Sequence, residues 1–530
     1  MFPIPSLCRM KQRLLQNMNG KSESSLKAFA LIQLLLAICF VTYLRIESGA
    51  YPGDDAYMTL KAARNIAAGN GFVHNVGERV YCTTTPLYAL LVAALSFATT
   101  LDPVTVAFVL NGALDPLVVC ALFWLILSQT SSYALAGASA LLFSVSRFFL
   151  SSSHLLMESS LFTFLALASL CAYSLKGRRR ILLGIFVGLL ILTRPEGGLF
   201  ALMYLFYLCW KERRLPLREL SGCFLVTLPW LLFAFYYFGT PIPHSIIAKA
   251  ASYSRSPGET FSLLTAAFTE QFASVHASGI LRRGICGVLL LLYFLGVHRE
   301  WKRGSLLLVY HLFALAFVVA YSVANPFMFE WYFTMPEPSY CIGILVGIRT
   351  VLSRLLPVSR QAVALSLGTI LWAFALGSQY FAEPFVRHPS GLGTRFNPDF
   401  FEREALYERA ARDLEAEVSK ETKIVAPEFG AFSYHSSAKL LSSLGHINPE
   451  VVPFLDLIPK SSRPGINNGV PREMLQGLRP DYLVSLEMFL SDDLRADDWF
   501  AAHYQVVREY PSKAFGISQN LLVYKRVGPM

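Results

Sequence analysis

Apolar runs and short polar segments alternate along most of the chain, and this pattern predicts a bundle of membrane-spanning helices. A helix needs about 20 mostly apolar residues to cross a bilayer. If every run crossed, the basic segment KGRRR at 176–180 would lie outside, against the excess of Lys and Arg in cytoplasmic loops. The run at 85–100 is short and has a proline at its start. We therefore predict that this run forms a helix along the outer surface of the membrane.

The remaining runs predict about eleven spans, with the N-terminus in the cytoplasm and the C-terminus outside. The basic clusters at 176–180, 211–218 and 298–304 then all fall on the cytoplasmic side, as the charge rule requires. The predicted spans cover residues 28–46, 104–127, 132–150, 159–176, 181–194, 198–210, 219–238, 281–297, 304–324, 339–352 and 361–381. The predicted outer loops cover residues 47–103, 151–158, 194–197, 239–280 and 325–338.

The sequence changes character near residue 382, where apolar runs give way to a mixed composition. The segment 396–418 has the periodicity of an amphipathic helix after an Asn-Pro start. The segments 423–435, 481–490 and 517–526 are typical of strands or strand-turn units. We expect a small extracytoplasmic α/β domain. The predicted organisation is a cytoplasmic segment at 1–27, a transmembrane region at 28–381 and the α/β domain at 382–530.

Composition supports a polytopic α-helical membrane protein. Of the 530 residues, 54% are hydrophobic and 15% are charged, and the mean hydropathy is +0.45. The net charge of +10 comes from short basic clusters between apolar runs, and no basic face is interleaved with aromatic residues in a soluble module, so nucleic-acid binding is not expected. The nine cysteines are scattered singly, which argues against a disulfide framework or a zinc site.

Two adjacent carboxylates, Asp54 and Asp55, open the first outer loop in the sequence PGDDAYMTLKAARNIAAG. An Asp after Pro-Gly is a good N-cap, so we expect one of the pair to cap a helix that Gly69 ends. The other is a second negative charge at a low-dielectric boundary, where repulsion and burial raise a carboxyl pKa toward that of a useful base. Lys61 follows Asp54 by seven residues and lies on nearly the same helix face. An acid beside a cation suits a phosphate-bearing substrate.

Two more outer loops bring polar and aromatic side chains to the same side of the membrane. The segment GTPIPHSIIAKAASYSR supplies His244 and Lys249 after two prolines that prevent a helix at its start. Lys249 is either a solvated lysine or a point-charge ligand for a lipid phosphate. Trp331 and Tyr332 lie in NPFMFEWYFTMPEPS. They belong either to the aromatic belt at the membrane interface or to a platform on which a sugar stacks.

Charged residues also lie close to predicted span ends. Arg194 and Glu196 belong to TRPEGG, at the tip of a hairpin between two short spans. Charges at membrane depth need partners or a water-filled cavity, so they indicate a polar site on the outer face. Glu158 could join Asp54 or Asp55 in supplying oxygen ligands for Mg²⁺ or Mn²⁺. A purely structural role for these acids is the alternative.

Several spaced motifs resemble those of the bacterial GT-C integral-membrane glycosyltransferases. They are, in order, DDAYMTLKAARNIAAGNGFVHNVGERV, TTTPLYALL, LLMESSLF, GLLILTRPEGGLFAL and FGTPIPHSIIAKA. The resemblance is nearest to the terminal arabinofuranosyltransferases that use decaprenyl-phosphate arabinose. It covers about residues 28–380, and VAPEFGAFSYHSSAKLLSSLGHINPEV extends it weakly into the tail. It implies a GT-C-like fold and an enzyme of the bacterial inner membrane. Such an enzyme transfers a hexosyl or pentosyl unit with inversion, from a polyprenyl-phosphate donor to a hydroxyl of an envelope glycan, lipid or protein outside the cell membrane.

The resemblance also implies roles for individual residues. Asp55 matches the catalytic base of the first outer loop, with Asp54 as the alternative, and Glu158 matches an acid that some relatives use to bind a metal. Arg194 and Lys249 match groups near the donor phosphate. With the outer-loop candidates included, the residues expected to hold donor phosphate and sugar are Lys249, Arg194, Lys61, His244, Glu196, Trp331 and Tyr332.

The chain departs from the family pattern at a few positions, which bear on sugar and acceptor and leave the first-loop acids intact. Thr85 and His244 replace Asn, Trp331 replaces Arg, and Ser442 or Ser443 replaces Asp.

A secondary transporter or lipid flippase is the alternative function, and an envelope scaffold is a third. Transporters place charges within spans near the midplane and commonly have repeated halves. This sequence has no internal repeat, and its candidate polar groups lie in loops on one face. A lipid-linked donor also agrees with the absence of a nucleotide-binding fingerprint, since GNGF at 69–72 predicts a helix end and a turn.

Overall fold

The chain is helical over most of its length before residue 383. The computed structural model describes residues 6–49, 51–175, 177–252, 256–270, 272, 279–324, 328–382, 386–387, 393–394, 398–458, 469–512 and 519–528. The helices of the first part are α1 (Ser6–Ser48), α2 (Asp54–Ala67), α3 (Pro86–Thr99), α4 (Pro103–Thr130), α5 (Tyr133–Ser144), α6 (Arg147–His154), α7 (Ser159–Cys171), α8 (Ile181–Thr193), α9 (Glu196–Glu212), α10 (Leu217–Phe238), α11 (His244–Ser252), α12 (Pro257–Glu270), α13 (Gly279–Arg303), α14 (Leu308–Ala324), α15 (Glu337–Leu355) and α16 (Val358–Ala382). Each predicted span coincides with one of these helices, or with the pair α5 and α6.

Within the described part of the chain, five helices are long and apolar enough to cross a membrane. They are the Ser24–Ser48 part of α1, α4, α10, the Ile280–Arg303 part of α13 and the Arg360–Ala382 part of α16. The pair α5 and α6, bent by 52°, is a sixth if it is counted as one span. The chain therefore has the helices of a polytopic membrane protein. The predicted number of about eleven is not confirmed, because other predicted spans, such as α7 and α14, are shorter apolar helices.

Two segments that were predicted as outer loops contain helices. The loop predicted at 151–158 begins inside α6. This helix starts where the Ser146 hydroxyl accepts a hydrogen bond from the Phe149 backbone N–H at 3.4 Å, which satisfies a donor of the first turn. The loop predicted at 239–280 contains α11 and α12.

Glycine allows the closest contacts between helices. A Cβ atom added to Gly296 in α13 would overlap the backbone of Gly343 in α15, and one added to Gly184 in α8 would overlap the backbone of Glu219 in α10. Small residues at such crossings are typical of helices packed in a membrane, where close backbone approach replaces the hydrophobic driving force.

The tail after α16 combines helices with a mixed sheet. Its strands are β1 (Val386–Arg387), β2 (Gly393–Thr394), β3 (Lys423–Ala426), β4 (Lys439–Ser442), β5 (Tyr482–Leu486), β6 (Tyr504–Ser512) and β7 (Gln519–Arg526). Its helices are α17 (Pro398–Leu414), α18 (Gly430–His435), α19 (Val452–Leu455), α20 (Arg472–Leu478), α21 (Asp492–Arg495) and α22 (Asp498–His503). Apart from the β1–β2 pair, the described strands form a sheet in the order β4-β3-β5-β7-β6. In it, β3 is parallel to β4 and β5, and β7 is antiparallel to β5 and β6.

The α/β character of the tail is confirmed, and α17, β3, β5 and β7 fall in the segments that predict them. Four strands were missed. β1 and β2 have only two residues each and β4 has four, and β6 contains Pro511, a residue that disfavours a strand prediction.

The tail packs on the first outer loop along a line that we call the α2–α18 seam. Arg64 of α2 donates to the backbone oxygen of Tyr434 at 2.6 Å, and its guanidinium lies 3.4 Å from the centre of that ring. Asn75 exchanges two hydrogen bonds with the backbone of Leu440, at 2.9 and 3.1 Å. Because Leu440 lies on the edge strand β4, this amide covers an open sheet edge. The seam therefore joins two parts of the chain that are far apart in sequence.

Candidate functional site

A cleft opens where the start of α2 meets the tail, and we call it the Asp55 cleft. It has about 920 Å³ of empty volume, counting the part that is open to solvent. The first outer loop, α11, the segment before α15 and the tail all contribute to it. Its lining residues are Gly53, Asp54, Asp55, Leu155, Lys249, Met328, Phe329, Glu330, Trp331, Phe400, Arg403, Pro427, Glu428, Leu444 and His446.

Asp54 and Asp55 form the first turn of α2. The expectation that one of them caps the helix is wrong, because the N-cap position belongs to Gly53 and no side chain makes a capping bond there. Both carboxylates instead lie in the first turn, where the partial positive charge of the helix N-terminus favours them. Both side chains are therefore left to contact other parts of the chain.

Asp54 attaches α2 to the tail. Its Oδ1 accepts a hydrogen bond from the backbone N–H of Gly430 at 2.6 Å. A Cβ atom on residue 430 would overlap the Asp54 carbonyl oxygen, so the close approach requires glycine at that position. Burial raises the pKa of Asp54; Arg403 opposes this shift and Asp55 adds to it.

Asp55 forms an ion pair with Lys249. The Lys249 Nζ lies 3.4 Å from Asp55 Oδ2, and the side chains are 22% and 24% exposed, respectively. Burial opposes ionisation of Asp55, but the charges of Lys249 and Arg194 and the hydrogen bond from Lys249 outweigh it, so the pKa of Asp55 lies below its ordinary value. Neighbouring carboxyls whose pKa values move apart are typical of sites that need one ionised acid. Here Asp55 is the member with the lower pKa.

The tail contributes a buried charged cluster to the cleft that sequence reasoning missed. Arg403 donates to Glu404 at 2.6 Å and lies 3.4 Å from Glu428. Burial raises the pKa of Glu428 to about 8 and that of Glu404 to about 7. His446 is also buried, and burial lowers its pKa to about 3, which keeps the imidazole neutral. The only sequence signal for this cluster was the weak tail motif, which contains Glu428 and His446.

A smaller pocket of about 390 Å³ adjoins the cleft and shares Asp55, Lys249 and Trp331 with it. Glu158, Arg194 and Tyr332 also line this pocket. The structure therefore brings several of the predicted site residues around Asp55. Trp331 stacks on Phe329, with ring centroids 4.6 Å apart and planes 3° from parallel, so a flat apolar surface borders both cavities.

Arg194 is held by protein carboxylates. It forms two hydrogen bonds with Glu196, at 3.1 and 3.0 Å, and a third with Glu158. Tyr321 donates to Glu196 as well. All three charged side chains are buried. Because both acids already neutralise Arg194, it is less available to a phosphate than Lys249 is.

Three of the predicted donor-binding residues line neither cavity. Glu196 is hydrogen-bonded to Arg194 and is absent from the lining of both cavities. His244 donates its backbone N–H to Tyr81 at 2.8 Å and is half-buried. Lys61 shares a helix face with Asp54, as predicted, because both residues contact α18 or its end. The Lys61 Nζ donates a hydrogen bond to the backbone oxygen of Ser436 at 3.1 Å. Lys61 opens into a separate pocket, since two helical turns separate it from Asp54.

The residues present do not fit a divalent cation. Across the described ranges, no group of three or more His, Cys, Asp or Glu side chains has the arrangement of a metal site. Glu158 is engaged by Arg194, and Asp54 by a backbone N–H. No step is therefore assigned to Mg²⁺ or Mn²⁺.

Comparison with known proteins finds solved structures that are similar to this one. No family model and no curated protein matches the sequence. The structure is similar to the crystal structure of ArnT from Cupriavidus metallidurans in the apo state, with a TM-score of 0.54 and 12% identity over 94% of this chain and 99% of that one. It also matches the cryo-EM structure of the arabinofuranosyltransferase AftD from Mycobacteria, with a TM-score of 0.47 and 15% identity, over 94% of this chain and 40% of that one. The likeness to ArnT shows that the two chains share a fold.

Proposed function

We propose that the protein is a membrane glycosyltransferase that moves a sugar from a polyprenyl-phosphate donor to a hydroxyl of an extracytoplasmic acceptor. The observation that carries the proposal is the Asp55–Lys249 pair, 3.4 Å apart and partly exposed in a cleft between the helical region and the tail. An ionised carboxylate and a lysine at one site supply a base for the acceptor and a positive charge for the leaving phosphate.

A lipid-linked donor explains why this site belongs to a polytopic membrane protein. The isoprenoid chain stays in the bilayer, while phosphate and sugar enter the cleft at the outer surface. Lys249 is the phosphate ligand in this proposal, because a lysine next to a bilayer is a natural point-charge partner for a lipid phosphate. Arg194 acts at a distance, since its charge helps to keep Asp55 ionised.

The proposed reaction is a single displacement. The acceptor oxygen attacks the anomeric carbon while its proton passes to the Asp55 carboxylate. The bond between the anomeric carbon and the phosphate oxygen breaks, and its electron pair leaves on the polyprenyl phosphate, whose charge Lys249 stabilises. The product has inverted configuration. Asp54 is a positioning residue, because its bond to Gly430 holds the first turn of α2 against the tail.

Trp331 provides the sugar platform in this proposal. Its ring, backed by Phe329, lines both the Asp55 cleft and the adjoining pocket. The resemblance to terminal arabinofuranosyltransferases makes arabinofuranose the first donor sugar to test.

The experiment uses the full chain in detergent with a panel of polyprenyl-phosphate sugars that includes the arabinofuranosyl donor. Release of polyprenyl phosphate and the mass of the acceptor are followed together. Asp55→Asn removes the base, so we expect the turnover rate to fall about 10²- to 10⁴-fold. Asp54→Asn keeps an oxygen that accepts the Gly430 N–H, so we expect a loss of less than about tenfold.

Asp493→Asn is the matched control, since it makes the same chemical change at an exposed position of α21, and it should leave the rate unchanged. Wild-type turnover by the Asp55→Asn variant would overturn the proposal. A larger effect of Asp54→Asn than of Asp55→Asn would move the base to Asp54.

A further inference from the structure

A second polar pocket lies at the opposite end of the α2–α18 seam, and we call it the basic pocket. It has about 640 Å³ of empty volume, counting the part that is open to solvent. The first outer loop forms one wall and the tail forms the other. The lining residues that matter below are Lys61, Lys420, Lys439, Asn70, His74 and Ser437.

Its charge is positive. Lys61, Lys420 and Lys439 all line the pocket, and no described lining residue is acidic. Lys439 pairs with Glu78 outside the lining, whereas the hydrogen bond found for Lys61 goes to the neutral carbonyl oxygen of Ser436. Burial, together with the charge of Arg64 and against that of Glu415, lowers the pKa of Lys61 to about 8. An anion bound at this point would give the Lys61 ammonium group a negatively charged partner.

His74 brings polar atoms without hydrogen-bond partners to the lining of the pocket. It is only 2% exposed, and neither of its ring nitrogens has a hydrogen-bond partner among the described residues. Burial, with the charge of Lys61, lowers its pKa to about 3, so the ring is neutral and offers one donor and one acceptor. Buried polar groups are nearly always paired in native proteins. Hydroxyl groups of a bound ligand would pair with the two ring nitrogens of His74.

We propose that the basic pocket binds an anionic oligosaccharide, with carboxylate or phosphate groups on its sugars, as the part of the acceptor that lies beyond the reacting hydroxyl. The inference rests on the proposed function. Lysines pair with the acidic groups, and Asn70, His74 and Ser437 bind hydroxyls. Seven residues of α2 separate Asp54 in the cleft from Lys61 in the pocket, about 10 Å of helix axis. A short oligosaccharide is long enough to span this distance.

The test measures binding to the full chain in detergent at low salt. The probe is the tetrasaccharide of galacturonic acid, and maltotetraose serves as the neutral probe of equal length. We expect the acidic probe to bind and the neutral probe to bind at least about tenfold more weakly. The double variant Lys61→Gln/Lys420→Gln should weaken binding of the acidic probe about tenfold or more. Asn70→Asp, which adds a negative charge and removes no lysine, should weaken it too.

Lys525→Gln is the matched control, because Lys525 is an exposed lysine of the same domain on β7, outside the pocket, and binding should be unchanged. Equal binding of the two probes, or unchanged binding by both pocket variants, would overturn the proposal. Competition by inorganic phosphate at the same concentration as the acidic probe would also overturn it, since the site would then hold a simple anion. Asp55→Asn should slow transfer about 10²- to 10⁴-fold and leave this binding intact, so failure of the transferase proposal is distinguishable from failure of this one.

Discussion

At the scale of single residues, the helix separates two aspartates that are adjacent in sequence. Successive side chains on a helix point about 100° apart, so Asp54 meets Gly430 while Asp55 meets Lys249. The sequence predicted that the pair would not be equivalent, but it assigned the difference to helix capping. It could not show which acid would have the lower pKa, because that depends on the burial of each carboxyl and on Lys249, which is far from the pair in sequence.

The ion pair of Asp55 predicts a change in pH dependence when Lys249 is replaced. Lys249 lowers the pKa of Asp55 against the effect of burial. As the pH falls, wild-type activity should therefore persist until the pH passes the lowered pKa of Asp55. In Lys249→Gln burial dominates, the pKa of Asp55 rises, and the acid limb of kcat/KM should move to higher pH. The plateau should also fall about 10²-fold, because the charge facing the phosphate is lost.

Lys249→Arg is the control for this prediction, because it keeps the positive charge and should leave the acid limb near its wild-type position. The measurement is kcat/KM from about pH 3, below the ordinary pKa of an aspartate, to about pH 8 for all three proteins. An acid limb that stays in place in Lys249→Gln would contradict the assignment of Asp55 as base.

At the scale of elements, the α2–α18 seam decides how the site is assembled. The amphipathic pattern of 54–67 and the strand patterns of 423–426 and 482–486 predicted these elements because each depends on local sequence. The short helix α18 and its docking on α2 were not predicted, because they depend on a glycine whose requirement appears only when Asp54 lies against it.

Gly430→Ala tests the seam. The added Cβ would overlap the backbone of Asp54, so α18 must shift, and overpacking of this kind costs about 1–3 kcal/mol. We expect a lower melting temperature in detergent and a marked loss of transfer. Gly258→Ala in α12 is the control, because open space surrounds its added Cβ, and it should match the wild type in both measurements. Wild-type stability and activity of Gly430→Ala would refute the close contact.

At the scale of the whole molecule, the sequence was sufficient for the class of fold and insufficient for the site. Apolar run length and basic loops predicted a polytopic helical protein with an α/β tail, since both depend on composition. The count of about eleven spans is not confirmed, because among the described residues five helices, or six with the bent pair, are long and apolar enough to cross a membrane. Arg403, Glu428 and His446 escaped notice because no local pattern records contacts between residues so far apart.

The predicted topology puts the tail outside the membrane and the loop after α13 inside. A membrane-impermeant maleimide should therefore label Asp493→Cys in intact spheroplasts, and it should label Lys302→Cys only after permeabilisation. Both positions are exposed in the structure. The unsubstituted chain measures the background from its own cysteines. Labelling of Lys302→Cys in intact spheroplasts would reverse the orientation.

Because the tail supplies part of the Asp55 cleft, the proposed site is incomplete until residues 400–446 have been synthesised. The helices of the nascent chain can insert and meet lipid-linked sugar in the membrane before Arg403, Glu428 and His446 have left the ribosome. Any truncated product that reaches the membrane would lack one wall of the cleft. Translation itself would thus keep immature copies from consuming lipid-linked sugar.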